Sequence, residues 1–389
     1  MEVMQECLYD FIPRSDFVNP KHEESPVEIS EFLRDLDLKN LKDLVLRGYQ
    51  NDYHFRFPPM AMIKAIILMR LKKIKSFPKL ADYLMVNKHA VNLGFNIKKP
   101  MPSKKTLWHF AVKRLKNSWR TIIDRTIQEI VLRLRFLGIE IGKRVAVDST
   151  PIEALQNDKD ALYNGHYKLL MYKLFTAVDV IHRIPLAYEV KDGTIGDSEN
   201  LIPLLYKLKQ KGIDFDYVYA DGAFESHKNF AEVNIRFSAT FRTNLGESYQ
   251  LNEEGTREGI GLRYEQNWNK APHYKPSMEI NNNINYMMMV LTDIGETHCV
   301  GNYFRNSIIR EIEESPAEYE EEYASSRTSI EEFHGHFKTQ LEVESKLNRK
   351  GLENVRQYLE MCLFAYLCIA LNRVQHGITE GLINLGGLV

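Results

Sequence analysis

The chain has 389 residues, 51 Lys and Arg against 52 Asp and Glu, with 44% hydrophobic and 11% aromatic residues. That length suits two or three domains with sizeable cores and excludes a small stapled scaffold or a chain disordered throughout. Four cysteines (Cys7, Cys299, Cys362, Cys368) fall in no metal-binding spacing and form no disulfide framework, which points to a reducing cytoplasm.

Residues 1–58 form an acidic, Pro-punctuated lead-in whose start, broken by Pro13, lacks the pattern of a signal peptide. A short amphipathic helix is predicted from Ile29 to Leu36. Residues 59–140 read as a helical, basic DNA-binding region: apolar positions crowd Met60 to Met69, a second helical pattern covers Phe77 to Leu93, and Ser103 is a candidate N-cap for a third. Apolar residues from Leu107 to Leu134 suit one or two further helices. Between Met60 and Ala146 twenty Lys and Arg face four acids, a surplus of +16 that the neutral total conceals. A block of that size draws polyanions; the competing reading is a solvated face of Lys-rich helices.

After Gly142 the period becomes strand-like. Strands are predicted at Lys143–Asp148, Lys173–Ile181 and Ile184–Val190, the last two joined by a His182-Arg183 hairpin. Then come a helix over Ser198–Lys211, a strand over Tyr217–Asp221, a helix from Ser226 and a strand over Phe237–Arg242. Antiparallel strands followed by strand-helix alternation argue a mixed α/β sheet over residues 141–244. Residues 245–305 are polar with short alternating runs, as in a β-rich insertion, and Trp268 there reads as core or as a platform for an unpaired base. Residues 306–389 open on the acidic run Glu311 to Glu322, where the charge could repel DNA, and helices are expected from about Tyr323 to Val374. Within them, Met361 to Leu371 is about 11 apolar residues, short of the roughly 20 that cross a bilayer, and reads as buried helix. No membrane partner is expected.

Two acids, Asp148 and Asp221, sit at the C-terminal ends of predicted strands, where neighbouring strands can share a site. Arg327, Glu331 and Lys338 follow one another at four and seven residues, one face of a helix. Taken singly, a strand-ending Asp is also an ordinary turn residue, and an Arg/Glu pair an ordinary surface ion pair. Together, two Asp and one Glu are a hard-oxygen set suited to Mg²⁺ or Mn²⁺, and two such ions about 3.5–4 Å apart support in-line displacement at phosphorus.

In that order the residues resemble the DDE transposases of prokaryotic insertion sequences, the group with a Tyr-Arg-Glu-Lys signature. Val145 to Ser149 is similar to the family's first acidic element, and Asp221-Gly-Ala-Phe224 approximates the second, with Gly one place early. Arg327-x3-Glu331-x6-Lys338 matches the third without gaps, while three residues separate Tyr323 from Arg327 where the signature has two. Tyr172-Lys173 looks like a Gly-Tyr-Lys element with Met171 in place of Gly. The likeness extends over about residues 58–375. It implies an RNase H-like mixed sheet flanked by helices, with a β-rich insertion and a helical N-terminal domain. It also implies Asp148, Asp221 and Glu331 as catalytic ligands of two Mg²⁺ (or Mn²⁺) ions, and Arg327, Lys338, Tyr323 and Lys173 as DNA contacts. The activity implied is cleavage at transposon inverted-repeat ends and transfer into target DNA, by a homo-oligomer on DNA in a prokaryotic, nucleoid-associated cytoplasm. Two rivals remain: a catalytically silent transposase-derived DNA-binding protein, and an RNase H-like nuclease without strand transfer. Among the neighbours, Asp179 reads as a turn residue and Glu332 as solvated. Asp197 reads as a supporting acid or helix start, and His334 and His336 as DNA-facing or merely polar.

Overall fold

The computed structural model describes residues 28–49, 55–244, 250–251, 257–258, 294–343 and 349–383. In the helical region, α1 (Ile29–Asp35) and α2 (Lys42–Arg47) precede α3 (Pro59–Leu71), which starts on Pro59, where a missing backbone N–H costs nothing. Next come α4 (Phe77–Tyr83) and α5 (Asn87–Leu93), two short helices where one pattern was expected. Helix α6 (Lys104–Trp108) is capped as expected by Ser103, whose Oγ accepts from the Thr106 N–H at 3.3 Å. It runs on into a π-helical turn, His109–Arg114, and α7 (Trp119–Phe136) follows.

The lead-in is part of this core. Ile29, Phe32, Leu33, Leu44 and Val45 are buried, and the Glu28 carboxylate accepts from Ser30 N at 2.8 Å and Tyr83 Oη at 3.1 Å. The C-terminal helix α12 (Leu352–Gln375) packs on α3 and α7, with the Trp119 and Phe364 rings 5.9 Å apart. Its stretch Met361 to Leu371 is buried throughout, as its composition predicts. Among the described residues no helix is long and apolar enough to cross a membrane.

The sheet begins with β1 (Arg144–Glu153), followed by β2 (Leu162–Asn164), β3 (Leu169–Asp179) and β4 (Pro185–Asp192). Helix α8 (Leu201–Gln210) leads to β5 (Tyr217–Tyr219), and α9 (His227–Phe237) leads to β6 (Thr240–Arg242). β3 pairs antiparallel with β1 and with β4, and the short β2 also pairs with it, whereas β1, β5 and β6 are parallel. An antiparallel half continuing into a parallel half, with helices in the crossovers, is an RNase H-like mixed sheet, the fold class expected. The hairpin at His182-Arg183 forms with Arg183 in the left-handed region (φ 57°). Asp179 closes it: its carboxylate accepts from the backbone N–H groups of Gly142 and His182, both at 2.7 Å, as a turn residue does.

Of the expected β-rich insertion, the described residues show only a ladder of β7 (Gln250–Leu251) with β8 (Arg257–Glu258), and Trp268 lies outside them. Helix also resumes earlier than expected, at α10 (Ile294–Glu314), which packs on α9. α11 (Pro316–Gln340) then crosses the sheet over β1, β3 and β5.

Two glycines separate α7 from β1, both with positive φ: Gly138 (76°) in open space, and Gly142 (83°), where an added Cβ would lie 2.4 Å from the Ile213 Cγ2. Gly138→Ala should cost only the left-handed backbone term, about 1–2 kcal/mol. Gly142→Ala should cost at least about 1 kcal/mol more, since Ile213 must also move. Urea denaturation of the two variants side by side checks the order.

Candidate active site

β1 pairs with β5 over only three residues, the last couple being Ala146 and Tyr219. Asp148 and Asp221 each stand two residues beyond that couple, so the two acids leave adjacent parallel strands at one level. Asp148 is not at a strand end, as expected, but the fifth residue of a ten-residue strand. β1 continues along β3 after β5 has turned away, and there Asp148 lies opposite Thr176. Asp221 does end its strand run: it N-caps the turn Gly222–Phe224, with Oδ1 accepting from Ala223 N at 3.0 Å.

α11 brings the remaining groups. Its Tyr323 hydroxyl donates to the carbonyl of Ala220, next to Asp221, at 3.1 Å. One turn on, Arg327 Nη2 lies 3.3 Å from Asp148 Oδ2 and 3.4 Å from Glu331 Oε1. Its Nη1 is buried and has no hydrogen-bond partner among the described residues. The Glu331 side chain is 64% exposed, against 15% for both Arg327 and Asp148, so the cation stands between a sheltered carboxylate and an open one. A further turn along, His334 Nε2 meets Thr176 Oγ1 at 2.8 Å, and Nδ1 lies 3.9 Å from Asp148 Oδ2. Burial, then Lys338 and Arg327, push the His334 pKa down to about 3, so it is a neutral spacer against Asp148. Lys338 is half-buried on the next turn, and His336 is exposed. Glu332 pairs with Arg183 at 2.6 Å, pointing away from the acids.

Further contacts lie along β3, behind Asp148. Lys173 is buried, its Nζ donating to Asp197 Oδ1 at 2.7 Å and to the Ile195 carbonyl at 3.1 Å. Asp197 also accepts from Ser149 Oγ at 3.1 Å, and so braces the residue next to Asp148. Tyr167, in the turn before β3, is raised by burial and then by the charges of Asp197, Asp148 and Asp221, which places its hydroxyl in the field of all three. Thr176 and Tyr167 carried no signal in the sequence, and Ser149 only as the last residue of the first acidic element. The contacts of Thr176 and Ser149 follow from cross-strand register and a loop return, which spacing does not encode.

Burial raises the Asp148 pKa to about 6; Arg327 opposes this and Asp221 adds to it. Burial likewise raises Asp221, against Arg327 and with a contribution from Asp197. Two carboxyls held back from ionising by burial and mutual repulsion are a donor set that a hard divalent cation would relieve. Among the described residues no three His, Cys, Asp or Glu side chains converge closely enough to hold a metal ion, because Glu331 joins the pair only through Arg327. The donor chemistry fits a divalent ion at the two aspartates.

An RNase H-like sheet carrying paired acids at one level of its parallel strands defines a domain of the nucleic-acid-processing class. Residues 141–368, more than half of the chain, match the family model described as the transposase DDE domain, and the chain belongs to that family. Transposases of this family act on DNA and generally use divalent metals. No curated protein matches the chain.

Because the Asp148 pKa is raised, the folded chain holds a proton there between about pH 4 and pH 6, where the unfolded chain does not. Stability therefore falls as pH rises through that window and stays lowered above it. Asp148→Asn should be more stable than the parent at pH 7, by on the order of 1–3 kcal/mol, and the difference should vanish below about pH 4. Urea unfolding at several pH values without added metal reads this directly.

Proposed function

We propose that the chain is a transposase of a prokaryotic insertion sequence, of the Tyr-Arg-Glu-Lys group, that cuts DNA at transposon ends and joins the freed end to target DNA. The observation that carries this reading is the common level of Asp148 and Asp221 on adjacent strands, with Arg327 of the crossing helix against one of them.

In this reading Asp148, Asp221 and Glu331 are the ligands of two divalent ions, Mg²⁺ or Mn²⁺, with Glu331 leaving Arg327 to join the two aspartates. When bound, the ions supply Lewis-acid activation of the attacking oxygen and charge neutralisation of the leaving one. The protein's own groups do the positioning. The unpartnered Nη1 of Arg327 is a donor for a phosphate oxygen, and Tyr323 holds the Asp221 strand while its ring borders the DNA path. Lys338 extends the cationic face of α11. Lys173 acts on DNA through Asp197, which it holds and which accepts in turn from Ser149 beside Asp148. Water attacks the scissile phosphorus and the 3′ oxygen leaves as a hydroxyl. That hydroxyl then attacks a target phosphate, with a target 3′ oxygen departing. Pairing of two ends calls for a homo-oligomer on DNA.

Asp148→Asn should abolish Mg²⁺-dependent cleavage of a labelled duplex carrying the flanking inverted repeats and leave binding of that duplex intact. Nicking retained by the variant overturns the assignment. With the parent protein, cutting followed by joining supports the proposal; binding alone identifies a silent relative, and cutting alone a nuclease.

A further inference from the structure

The helical region contains a cavity of about 390 Å³, outside the residues that match the DDE domain. Its walls include the rings of Tyr49, Phe55 and Phe110 and the cations Arg56, Lys105 and Arg114, and among the described residues no carboxylate lines it. Among the described residues none of those three cations has an acidic partner. The rings are arranged as a corner: Tyr49 meets Phe55 edge-on at 4.9 Å and Phe110 at 6.0 Å, and the Arg114 guanidinium lies 4.2 Å over the Tyr49 ring. Two backbone features build it. Phe110 and Arg114 stand on the π-helical turn, an irregularity common at functional sites. Gly48 lets Tyr49 approach that turn, since a Cβ at 48 would lie 2.8 Å from the Arg114 carbonyl oxygen.

The volume falls in the range of small-molecule sites, roughly 300–1,000 Å³. Aromatic walls together with unpaired cations match a flat base linked to a phosphate. An acidic peptide would use the cations and leave the ring corner unfilled. We propose that this cavity binds a nucleoside phosphate unit, supplied by an unpaired stretch of DNA, with the base on the ring corner and the phosphate on Arg56, Lys105 and Arg114. The inference deepens the reading of the chain as acting on DNA.

The test uses the full-length protein and a single-stranded oligonucleotide carrying 5-bromodeoxyuridine, with photocrosslinks mapped by mass spectrometry and affinity read by fluorescence anisotropy. Crosslinks are expected at Tyr49, Phe55 or Phe110. The exposed pair Arg56→Ala/Lys105→Ala and, separately, Phe55→Ala should each weaken single-strand binding about fivefold or more. Competition by thymidine 5′-monophosphate would identify a free nucleotide as sufficient, and its failure to compete would identify the DNA strand as the source; either supports the site. Crosslinks confined to other segments, or unchanged affinity in both variants, overturn it. Cleavage of duplex ends, measured on the same preparations, separates the two ideas: retained cutting without these crosslinks removes the cavity proposal alone. Absent cutting by the parent protein, with the crosslinks present, counts against the transposase reading alone.

Discussion

The geometry of the acidic site depends on where one helix lies across the sheet. Helix α11 is registered by polar contacts that occur at successive turns. The Glu322 carboxylate is shared by Arg144 of β1, Tyr219 of β5 and Arg242 of β6, so a single side chain ties three adjacent strands together. The Tyr319 hydroxyl donates to the Thr243 carbonyl at 2.8 Å, Tyr323 to Ala220, and Ser329 Oγ to Val180 at 2.7 Å. A slide of one residue moves a helix about 1.5 Å and turns it about 100°, which would break all four at once. Arg327 therefore meets Asp148 as a consequence of contacts made elsewhere on the helix.

This placement gives two residues of the acid run, Glu311 and Glu322, a structural part beside the repulsion that its charge suggested. Glu322 is the strand clamp, and Glu311 pairs with the same Arg242. Burial works against the Arg242 cation, and Glu311, Glu322 and Tyr219 outweigh it. Leaving one partner of so sheltered a pair alone is costly, because the remaining charge must be desolvated without compensation. The same logic applies at the site with the opposite sign. There Asp148 and Asp221 have, among the described residues, one close cation to share, His334 being neutral, and the electrostatic deficit is what makes the position attractive to a further positive charge.

Much of the sheet and its acids was legible in the sequence, because period and spacing are local properties. Asp148, Asp221 and the face bearing Arg327, Glu331 and Lys338 could be read from apolar runs ending on an acid and from helical intervals, although β1 runs on past Asp148. The length of β1 could not. Pro151 normally ends a central strand, since it offers no N–H to the ladder. Here it lies opposite Lys173 on β3, in the part of β1 that has already lost β5, so the missing donor faces an edge without a ladder. The helix α10 was obscured by the polar composition of the segment before it. Lys173 was recognised, but its partner Asp197, 24 residues on, was placed only by the folding of β3 against the loop after β4.

The charge surplus of the helical region divides in the same way. Several of its cations hold the structure together: Lys72 faces Glu28 at 3.6 Å, Lys88 faces Glu31 at 2.7 Å, and Arg120 reaches Glu189 on β4 at 2.9 Å. Arg120 thereby joins α7 to the sheet, next to the Tyr188 hydroxyl, which donates to Glu360 of α12 at 2.9 Å. Such pairs consume charge that the sequence total would assign to a polyanion. Any attraction of the region for a polyanion then rests on the remainder, to which Lys105 and Arg114 belong, gathered with Arg56 of the lead-in around aromatic rings rather than dispersed on a solvated face. Dispersed cations give affinity that salt screens away, whereas cations beside stacking surfaces also give a place for a particular part of the ligand. The distribution of charge, more than its amount, is therefore what separates a merely basic helical layer from one built to hold a nucleic-acid strand.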